Sequence, residues 1–307
     1  MLNNLSNKKL AVIFGVLVVI AAVFYFTDEK NERTFRQELV DIDTTEITEI
    51  LIYPKSQNHA EIKIFKENDA WKTTLTNGKV VSVPDSKADN LINQILSIKP
   101  KRLAARGSQK WTEFEVDSTA TRVKIIEDGK ETLNILLGKF AFQQPRSMST
   151  YVRLNNDSDV YEVDGFLSAT FNQGISSFRD NSIITGDYKN WNRISFNYPA
   201  DSSYQLVKLN DIWFANDEPT DSVETAKYLS QLQRLTSSYF TDDVDAAIVP
   251  THKLTVETES GEILEVKGFQ QIEHFPITSN LNPDSYFEGT QNNLGKKAFI
   301  GYKQLLK

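Results

Sequence analysis

The chain has 307 residues, enough for two domains of ordinary size, and 40% hydrophobic with 24% charged residues is a normal globular balance. The formal net charge is −7, whereas nucleic-acid binders normally carry a strongly basic face, so nucleic acid is excluded as an expected partner. Cysteine is absent, which excludes disulfides, thiolate metal sites, cysteine nucleophiles and a lipidated N-terminal cysteine. Stability must therefore come from packing.

The N-terminus predicts a membrane anchor. Two lysines precede an uncharged apolar run over residues 10–26, after which charged residues return. At about 1.5 Å per residue the run is slightly short for a hydrocarbon core of about 30 Å, but Tyr25 and Phe26 can lie in the interface. A cleaved signal peptide is the rival interpretation. The bulky residues after Ala22 are a poor cleavage context and favour an uncleaved span.

The charges on either side of this run predict its orientation. Basic residues lie before the span, in residues 1–9, which favours a cytoplasmic N-terminus and an extracytoplasmic body. The expected localisation is the inner (cytoplasmic) membrane, single-pass, with the body on the periplasmic side. Residues 27–44 are predicted to be a charged helical stalk with Phe35 and Leu39 on one stripe, and a solvated linker is the simpler alternative.

One order of elements recurs along the chain. Residues 50–98 contain two apolar strands, a lone tryptophan and an amphipathic helix, and residues 194–235 contain the same parts in the same order. The matching marks are Tyr53, Trp71 and Asp85 in the first copy and Tyr198, Trp213 and Asp221 in the second. Internal repetition predicts architecture before any residue chemistry is considered.

The second half of each copy is predicted to contain a hairpin. An Asp-Gly pair between apolar alternations is a strong hairpin signal, so the turn at residues 127–130 joins two strands, and Gly138 is expected to end the hairpin. Gly268 is aligned with Gly138, and residues 299–306 are aligned with residues 161–167. On this alignment the second copy stops short of the helix and the Phe-Arg-Asp segment that close the first.

The predicted fold class is α+β, with two tandem antiparallel-sheet repeats and packed helices, preceded by one N-terminal transmembrane helix. The boundary between the repeats is placed at Gly186-Asp187, because no low-complexity tract separates the copies. The predicted divisions are the cytoplasmic N-terminus (1–9), the transmembrane helix (10–26), the juxtamembrane stalk (27–44), the first repeat (45–186) and the second repeat (187–307).

Several short motifs in a fixed order carry a family resemblance. They are Pro-Asp-Ser at 84–86, Leu-Leu-Gly-Lys at 136–139, Thr-Tyr-Val-Arg at 150–153, Val-Tyr at 160–161 and Phe-Arg-Asp at 178–180. With this order the chain resembles the bacterial domain-of-unknown-function family 4340 over most of the region beyond the anchor. The resemblance implies an envelope protein with one N-terminal span and no established catalytic residues, whose relatives are often encoded beside gliding-type ABC transporter components. Where that family shows Tyr-Gly-Leu, this chain has Trp-Thr-Glu-Phe at 111–114.

Motifs for catalysis or metal binding are largely missing from the sequence. Neither a Gly-x-x-x-x-Gly-Lys-Ser/Thr phosphate loop nor a Gly-x-Ser-x-Gly elbow occurs. His59, His252 and His274 are isolated from one another, so a metal site would need tertiary convergence. Trp71 and Trp213 are expected to fill core space, with ligand stacking as the lesser alternative. We therefore expect no enzyme activity, no cofactor and no metal.

A run of basic residues without an acid follows the first helix and is the one candidate site. Its members are Lys99, Lys101, Arg102, Arg106 and Lys110. Pro100 is expected to end the helix and place them on a loop. The matching place in the second copy carries Asp242, Asp243 and Asp245. The functional interpretation is a docking surface for a protein, anionic lipid or envelope polymer, and the simpler one is a pair of unrelated solvated faces.

These patterns predict a membrane-anchored extracytoplasmic accessory or scaffold subunit of an envelope complex, associated with a gliding-type ABC transporter as the resemblance implies. Membrane lipid would contact residues 10–26, and other proteins of the membrane complex are the expected partners. A solute- or glycan-binding module that captures a ligand between the repeats is the alternative. An envelope hydrolase is a third possibility, for which the sequence shows no recognisable nucleophile or metal set.

Overall fold

The fold is taken from a computed structural model that describes residues 14–19, 35–143, 147–242, 244 and 248–306. Residues 14–19 are helical, and the rest of the predicted span 10–26 lies outside the described residues, as does the predicted N-terminus 1–9. Within the described part of the chain, no helix is long and apolar enough to cross a membrane.

In the described part of the chain, the first unit is built on nine strands and one long helix. The strands are β1 Ile47–Tyr53, β2 Ile62–Glu67, β3 Ala70–Thr74, β4 Val80–Ser82, β5 Pro100–Ala105, β6 Thr121–Glu127, β7 Lys130–Gln143, β8 Ser147–Leu154 and β9 Val160–Asp164. They form one antiparallel sheet in the order β4-β3-β2-β1-β6-β7-β8-β9-β5. Helix α1 is Asp85–Leu96, and the short helices α2 and α3 are Trp111–Phe114 and Ser168–Phe171.

Helix α1 covers one face of this sheet. Its buried residues recur at helical spacing, which places them on a single stripe that joins the first hydrophobic core. They are Ala88, Leu91, Ile92 and Ile95. Pro84 occupies the position before the helix, where a missing N–H costs no hydrogen bond. The predicted helix start is therefore confirmed.

The described residues of the second unit form eight strands. They are β10 Trp191–Asn197, β11 Tyr204–Leu209, β12 Ile212–Ala215, β13 Glu218–Pro219, β14 His252–Thr258, β15 Ile263–Gly268, β16 Pro276–Ser279 and β17 Asn282–Glu288. The sheet order is β13-β12-β11-β10-β14-β15-β16-β17, again antiparallel throughout. Helix α4 (Ser222–Leu232) packs on a second core and is followed later by α5 (Leu294–Ala298). Asp221 caps α4 by accepting hydrogen bonds from two backbone N–H groups of its first turn.

Strand by strand, the two sheets have the same order, from β4 and β13 at one edge to β9 and β17 near the other. In the middle of each sheet, Ile50 of β1 pairs with Ile64 of β2, and Ile194 of β10 pairs with Leu206 of β11. The prediction of an α+β protein with two antiparallel sheet units is therefore confirmed.

The strand register corrects three details of the expected alignment. Thr121 and His252 occupy corresponding positions and pair with Leu137 and Gly268, so Gly268 aligns with Leu137 and not with Gly138. Ile52 of β1 corresponds to Phe196 of β10. Tyr53 is the next residue, so it aligns with Asn197 and not with Tyr198. Strand β17 takes the place of β9, so residues 299–306 do not correspond to residues 161–167. These errors arose because the apolar pattern of a strand does not show where a bulge or a connecting loop gains or loses a residue.

The closing segment of the first unit has a counterpart in the second. Gly174 precedes the short 3-10 helix Ile175–Ser177, which buried Phe178 follows, and Gly301 precedes a similar helix, Tyr302–Gln304, which buried Leu305 follows. The helix expected to be missing from the second copy is α3, which follows β9, and α5 follows β17 in the same way, so the expectation that the second copy stops before this helix is wrong.

The described part of the predicted stalk, residues 35–44, is not helical. Leu39 and Val40 are buried in the first core, and Phe35 and Ile42 pack against it. The helical prediction is wrong here because these apolar side chains enter the core of the sheet unit, which fixes an irregular extended chain in place of a solvated helix.

The connection between the units runs between the edges of the two sheets. The backbone N–H of Asp180 donates to the carbonyl of Ser82 on β4 at 3.1 Å, and the Asn282 side chain on β17 donates to the carbonyl of Asp180 at 2.8 Å. The connecting segment is therefore hydrogen-bonded to both units.

Candidate interaction surface

The five basic residues lie on and beside an edge strand, not on a loop. Strand β5 begins at Pro100 and pairs with β9 through Arg102 opposite Glu162 and Leu103 opposite Tyr161. Proline is tolerated as the first residue of an edge strand. The loop prediction is wrong because pairing with β9, a tertiary contact without a local signal, holds the segment extended. The side chains of Lys99, Lys101, Arg102, Arg106 and Lys110 are nevertheless all exposed.

Two of these lysines pair with exposed acids. The Nζ of Lys101 lies 3.0 Å from a carboxylate oxygen of Asp164, and the Nζ of Lys110 lies 2.7 Å from one of Glu113. The hydrogen bond from Lys110 lowers the pKa of Glu113 below its ordinary value. The edge is therefore less positive than its composition suggests.

Arg102 pairs with a buried acid. The carboxylate of Glu162 is 2% exposed, accepts a 2.8 Å hydrogen bond from the hydroxyl of Ser149, and forms an ion pair with the guanidinium of Arg102. An unpaired buried carboxylate is strongly unfavourable. Arg102 therefore supports the fold as well as contributing positive charge to the surface.

An exposed apolar patch, which the sequence analysis missed, lies at the far end of the β7–β8 hairpin. We call it the hairpin patch, and it consists of Phe140, Phe142, Met148 and Phe166, whose exposed fractions run from 40% to 54%. Phe142 is paired with Met148 across the strands, and the ring centroids of Phe140 and Phe166 are 4.7 Å apart. Contiguous exposed apolar surface of this kind marks an interaction site more often than single exposed residues do.

A bulge explains why the sequence analysis missed the patch. Gly138 was expected to end the hairpin, but the register shifts between Leu137 and Phe140 and β7 continues to residue 143. The signal was present, because Phe140 and Phe142 are spaced by two residues, as expected for one face of a continuing strand.

The hairpin patch adjoins the basic edge. Asp164, the ion-pair partner of Lys101, lies two residues before Phe166. The next residue, Gly165, donates its N–H to the carbonyl of Met148 at 2.9 Å. Four apolar side chains and the basic start of β5 therefore share one corner of the first sheet.

This corner lies away from the place where the N-terminal segment joins the fold. Arg36 and Leu39 line a groove together with Leu154 at the end of β8. Met148 is six residues back along this strand, about 20 Å away at roughly 3.3 Å per residue. The hairpin patch and the incoming chain therefore occupy opposite ends of the β7–β8 pair.

Asp242 is the one described member of the second unit's acidic run, and it does not mirror the basic run. Asp243 and Asp245 lie outside the described residues. The carboxylate of Asp242 forms a 2.9 Å ion pair with Arg179. Its place is therefore the contact between the units, and the predicted contrast of two equivalent charged loops is wrong for this residue.

Arg179 itself is buried where the two units meet. Its side chain is 1% exposed, and its guanidinium lies 3.8 Å from the ring centroid of Phe240 and donates to the hydroxyl of Ser285 at 3.4 Å. Arg179 belongs to the connecting segment, whereas Phe240, Asp242 and Ser285 belong to the second unit. The Phe-Arg-Asp motif therefore fixes one unit against the other.

The three histidines do not form a metal site among the described residues, where no group of three or more His, Asp or Glu is placed to hold an ion. The Nδ1 of His274 lies 2.8 Å from the carboxylate of Glu288. His252 packs among aromatic rings, and burial lowers its pKa.

The model of one protein family, Domain of unknown function (DUF4340), matches residues 71–255. The chain belongs to the DUF4340 family. The DUF4340 match runs from β3 into β14, so it includes the basic edge, the hairpin patch and Arg179. No curated protein and no solved structure matches the chain.

Proposed function

We propose that this DUF4340 protein is a membrane-anchored extracytoplasmic accessory or scaffold subunit of an envelope complex, associated with an ABC transporter of the gliding type. The hairpin patch is the observation that supports this function best. Single exposed apolar residues are ordinary on protein surfaces, but a cluster of three aromatic side chains and a methionine is the composition of an interface core.

The surroundings of the hairpin patch favour a protein over lipid as the partner. The patch lies at the end of the β7–β8 pair opposite the segment that leads to the predicted anchor, so it would face away from the anchoring membrane. Basic residues on β5 beside it would accelerate encounter with an acidic partner surface. Lipid binding through the patch is the competing outcome of the test below.

The contact between the units supports a scaffold role. The buried Arg179 and the hydrogen bonds of Asp180 hold the two sheets in a fixed relation. A partner docked at the corner of the first sheet would therefore have a fixed orientation relative to the second unit.

The docking function is tested by recovery of partners. We would purify the tagged full-length chain in mild detergent and identify co-purifying proteins, with ABC transporter subunits as the expected ones. The double variant Phe140→Ser with Phe142→Ser should lose them and keep its thermal stability, because both side chains are exposed. Ile263→Ser, an equally exposed apolar position in the second unit, is the matched control and should retain them.

Two results would contradict the docking function. One is recovery of the same proteins with the double variant at every salt concentration. The other is binding of the wild-type chain to anionic vesicles that the double variant loses, which would make the hairpin patch a lipid contact.

The anchor is tested separately. Val18→Arg places a charge within the apolar run at a cost of roughly 2.5–3.5 kcal/mol near the middle of a span. Much of the variant should leave the membrane fraction, whereas Val18→Leu should stay. A mature N-terminus beginning after Ala22, or a body protected on the cytoplasmic side, would contradict the anchor.

A further inference from the structure

A cleft of about 500 Å³ opens in the second unit between helix α4 and the β11–β12 hairpin. The rings of Trp213 and Tyr188 line it, together with the buried side chains of Thr225 and Leu229. Small-molecule sites typically have volumes of roughly 300–1,000 Å³ and combine apolar walls with a few polar groups. The cleft matches such sites in both size and lining.

The equivalent tryptophan of the first unit is packed differently. In the strand registers, Trp71 lies opposite Lys66 and Trp213 lies opposite Lys208, so the two indoles occupy corresponding positions. Trp71 is 5% exposed and belongs to the first core, whereas Trp213 is only partly buried. The second unit therefore presents part of an indole surface that the first unit buries.

Two apolar positions beside the first indole carry hydroxyl groups in the second unit. Val83 and Thr220 correspond, because each donates its backbone N–H to the carbonyl of the tryptophan in its own unit. Ala88 and Thr225 correspond as the first buried residues of α1 and α4. The cleft therefore has two hydroxyl groups in its lining at positions where the first unit has apolar side chains.

One of these hydroxyl groups is unpaired. Thr220 donates its hydroxyl to the carbonyl of Trp213 at 3.1 Å. The Thr225 hydroxyl has no hydrogen-bond partner among the described residues, although the side chain is 1% exposed. Leaving a buried hydroxyl unpaired is unfavourable, and threonine in a helix has two accessible rotamers. The hydroxyl oxygen is enclosed in the rotamer present, so a ligand hydroxyl could supply the missing partner once the side chain turns to its second rotamer.

The charge of Lys208, which lines the cleft, is already compensated. The Nζ of Lys208 donates to the carbonyl of Lys189 at 2.8 Å and lies 3.5 Å and 3.6 Å from the carboxylates of Asp211 and Glu259. The cleft therefore does not require a charged ligand.

We propose that this cleft binds a neutral saccharide, with one pyranose ring against Trp213 and a sugar hydroxyl paired with Thr225. A pyranose combines an apolar ring face with several hydroxyl groups, and it carries no charge. It therefore matches the aromatic walls, the unpaired hydroxyl and the compensated lysine. The site is separate from the docking function, because the hairpin patch lies in the first unit.

Binding is tested by calorimetric titration of the full chain with glucose, N-acetylglucosamine and maltose. The detergent must not be a glycoside, since a maltoside or glucoside head group would compete. Thr225→Val should weaken binding about tenfold, the effect of losing one good hydrogen bond. The matched control is Thr73→Val in the first unit, where the hydroxyl is buried and bonded to the carbonyl of Lys63, and its affinity should be unchanged.

A second variant keeps the test decisive if Thr225→Val perturbs folding. Ala226 is exposed on α4 and lines the cleft, so Ala226→Phe should fill the space and abolish binding while the helix is retained. The proposal is overturned if the wild-type chain binds none of the three sugars at millimolar concentration. It is also overturned if both variants bind like the wild type, or if only an anionic or aliphatic compound binds in the cleft.

Discussion

Glu162 on β9 and Glu288 on β17 occupy the same position in their sheets, and both are buried. Tyr161, the residue before Glu162, pairs with Val152 of β8, and Phe287, the residue before Glu288, pairs with Ile277 of β16. Val152 and Ile277 occupy corresponding positions, which establishes the match. Their exposed fractions are 2% and 9%. A buried carboxylate is costly unless it is paired and hydrogen-bonded, so each unit must satisfy it.

The two units satisfy this carboxylate by different means. Glu162 has the side chains of Arg102 and Ser149 as partners. Glu288 accepts hydrogen bonds from the backbone N–H groups of Phe275 and Thr290 and from the Thr290 hydroxyl, and its carboxylate lies 2.8 Å from the Nδ1 of His274. The acid is thus common to both units, whereas its partners are specific to each.

Replacing Arg102 should therefore affect the fold. Arg102→Ser leaves the Glu162 carboxylate without its cation, and we expect a loss of about 1–3 kcal/mol in the free energy of unfolding, less than for a fully buried pair because Arg102 is half-exposed. Lys101→Ser is the control, and its loss should stay under about 1 kcal/mol, since its partner Asp164 is exposed. Urea unfolding measures both, and equal losses would contradict the distinction.

The partners of Glu288 predict a dependence on pH. Burial raises the pKa of Glu288, but the backbone hydrogen bonds of Phe275 and Thr290 outweigh it, and the pKa lies below its ordinary value of 4.5. The ionised group therefore stabilises the fold above that value, and this contribution is lost as the pH falls through the lower folded pKa. Glu288→Gln should be less stable than wild type at pH 7, and the difference should shrink in acid. A difference independent of pH would contradict this explanation.

The two equivalent tryptophans should differ in their contribution to stability. Trp71→Ala removes a buried side chain and should cost about 3–5 kcal/mol. Trp213→Ala should cost less, because part of the indole faces the cleft. Chemical denaturation of the two variants provides the comparison, and a larger loss for Trp213→Ala would show that the second indole is the main core residue.

Arg179 should determine whether the two units unfold together. Asp242 is 37% exposed, so Arg179→Ala should cost less than the roughly 3–5 kcal/mol of a fully buried ion pair, and it also removes the contact with Phe240. We expect one unfolding transition in the wild type and two in the variant, by calorimetry. Lys110→Ala, which breaks an exposed pair within one turn, should leave the single transition unchanged. A single transition with an unaltered midpoint in Arg179→Ala would contradict this role.

Local signals allowed much of the fold to be predicted from the sequence. The turn at residues 127–130 is one example, because Asp128 and Gly129 both have positive φ, as a two-residue hairpin turn requires. The order of strand, tryptophan and helix in each copy is another, since apolar spacing and turn residues mark every element.

The parts that were mispredicted depend on contacts between distant segments. Strand β5 has no apolar alternation of its own and becomes a strand by pairing with β9. The hairpin patch depends on a bulge beyond Gly138, whose position no residue pattern specifies. Arg179 and Asp242 are 63 residues apart, and neither residue indicates the other in the sequence.

The outer edge strands of the two sheets have features that disfavour pairing with another chain. At one end, β5 covers β9 and presents lysine and arginine side chains, and at the other end β13 has two residues, one of them Pro219. Charged residues, proline and short length are the features by which edge strands avoid pairing with another chain. The remaining edge, on β17, is bridged by Phe240 and flanked by β4 of the first unit. Among the described residues, the outer edge of each sheet therefore carries features that disfavour strand-to-strand polymerisation of copies of the chain.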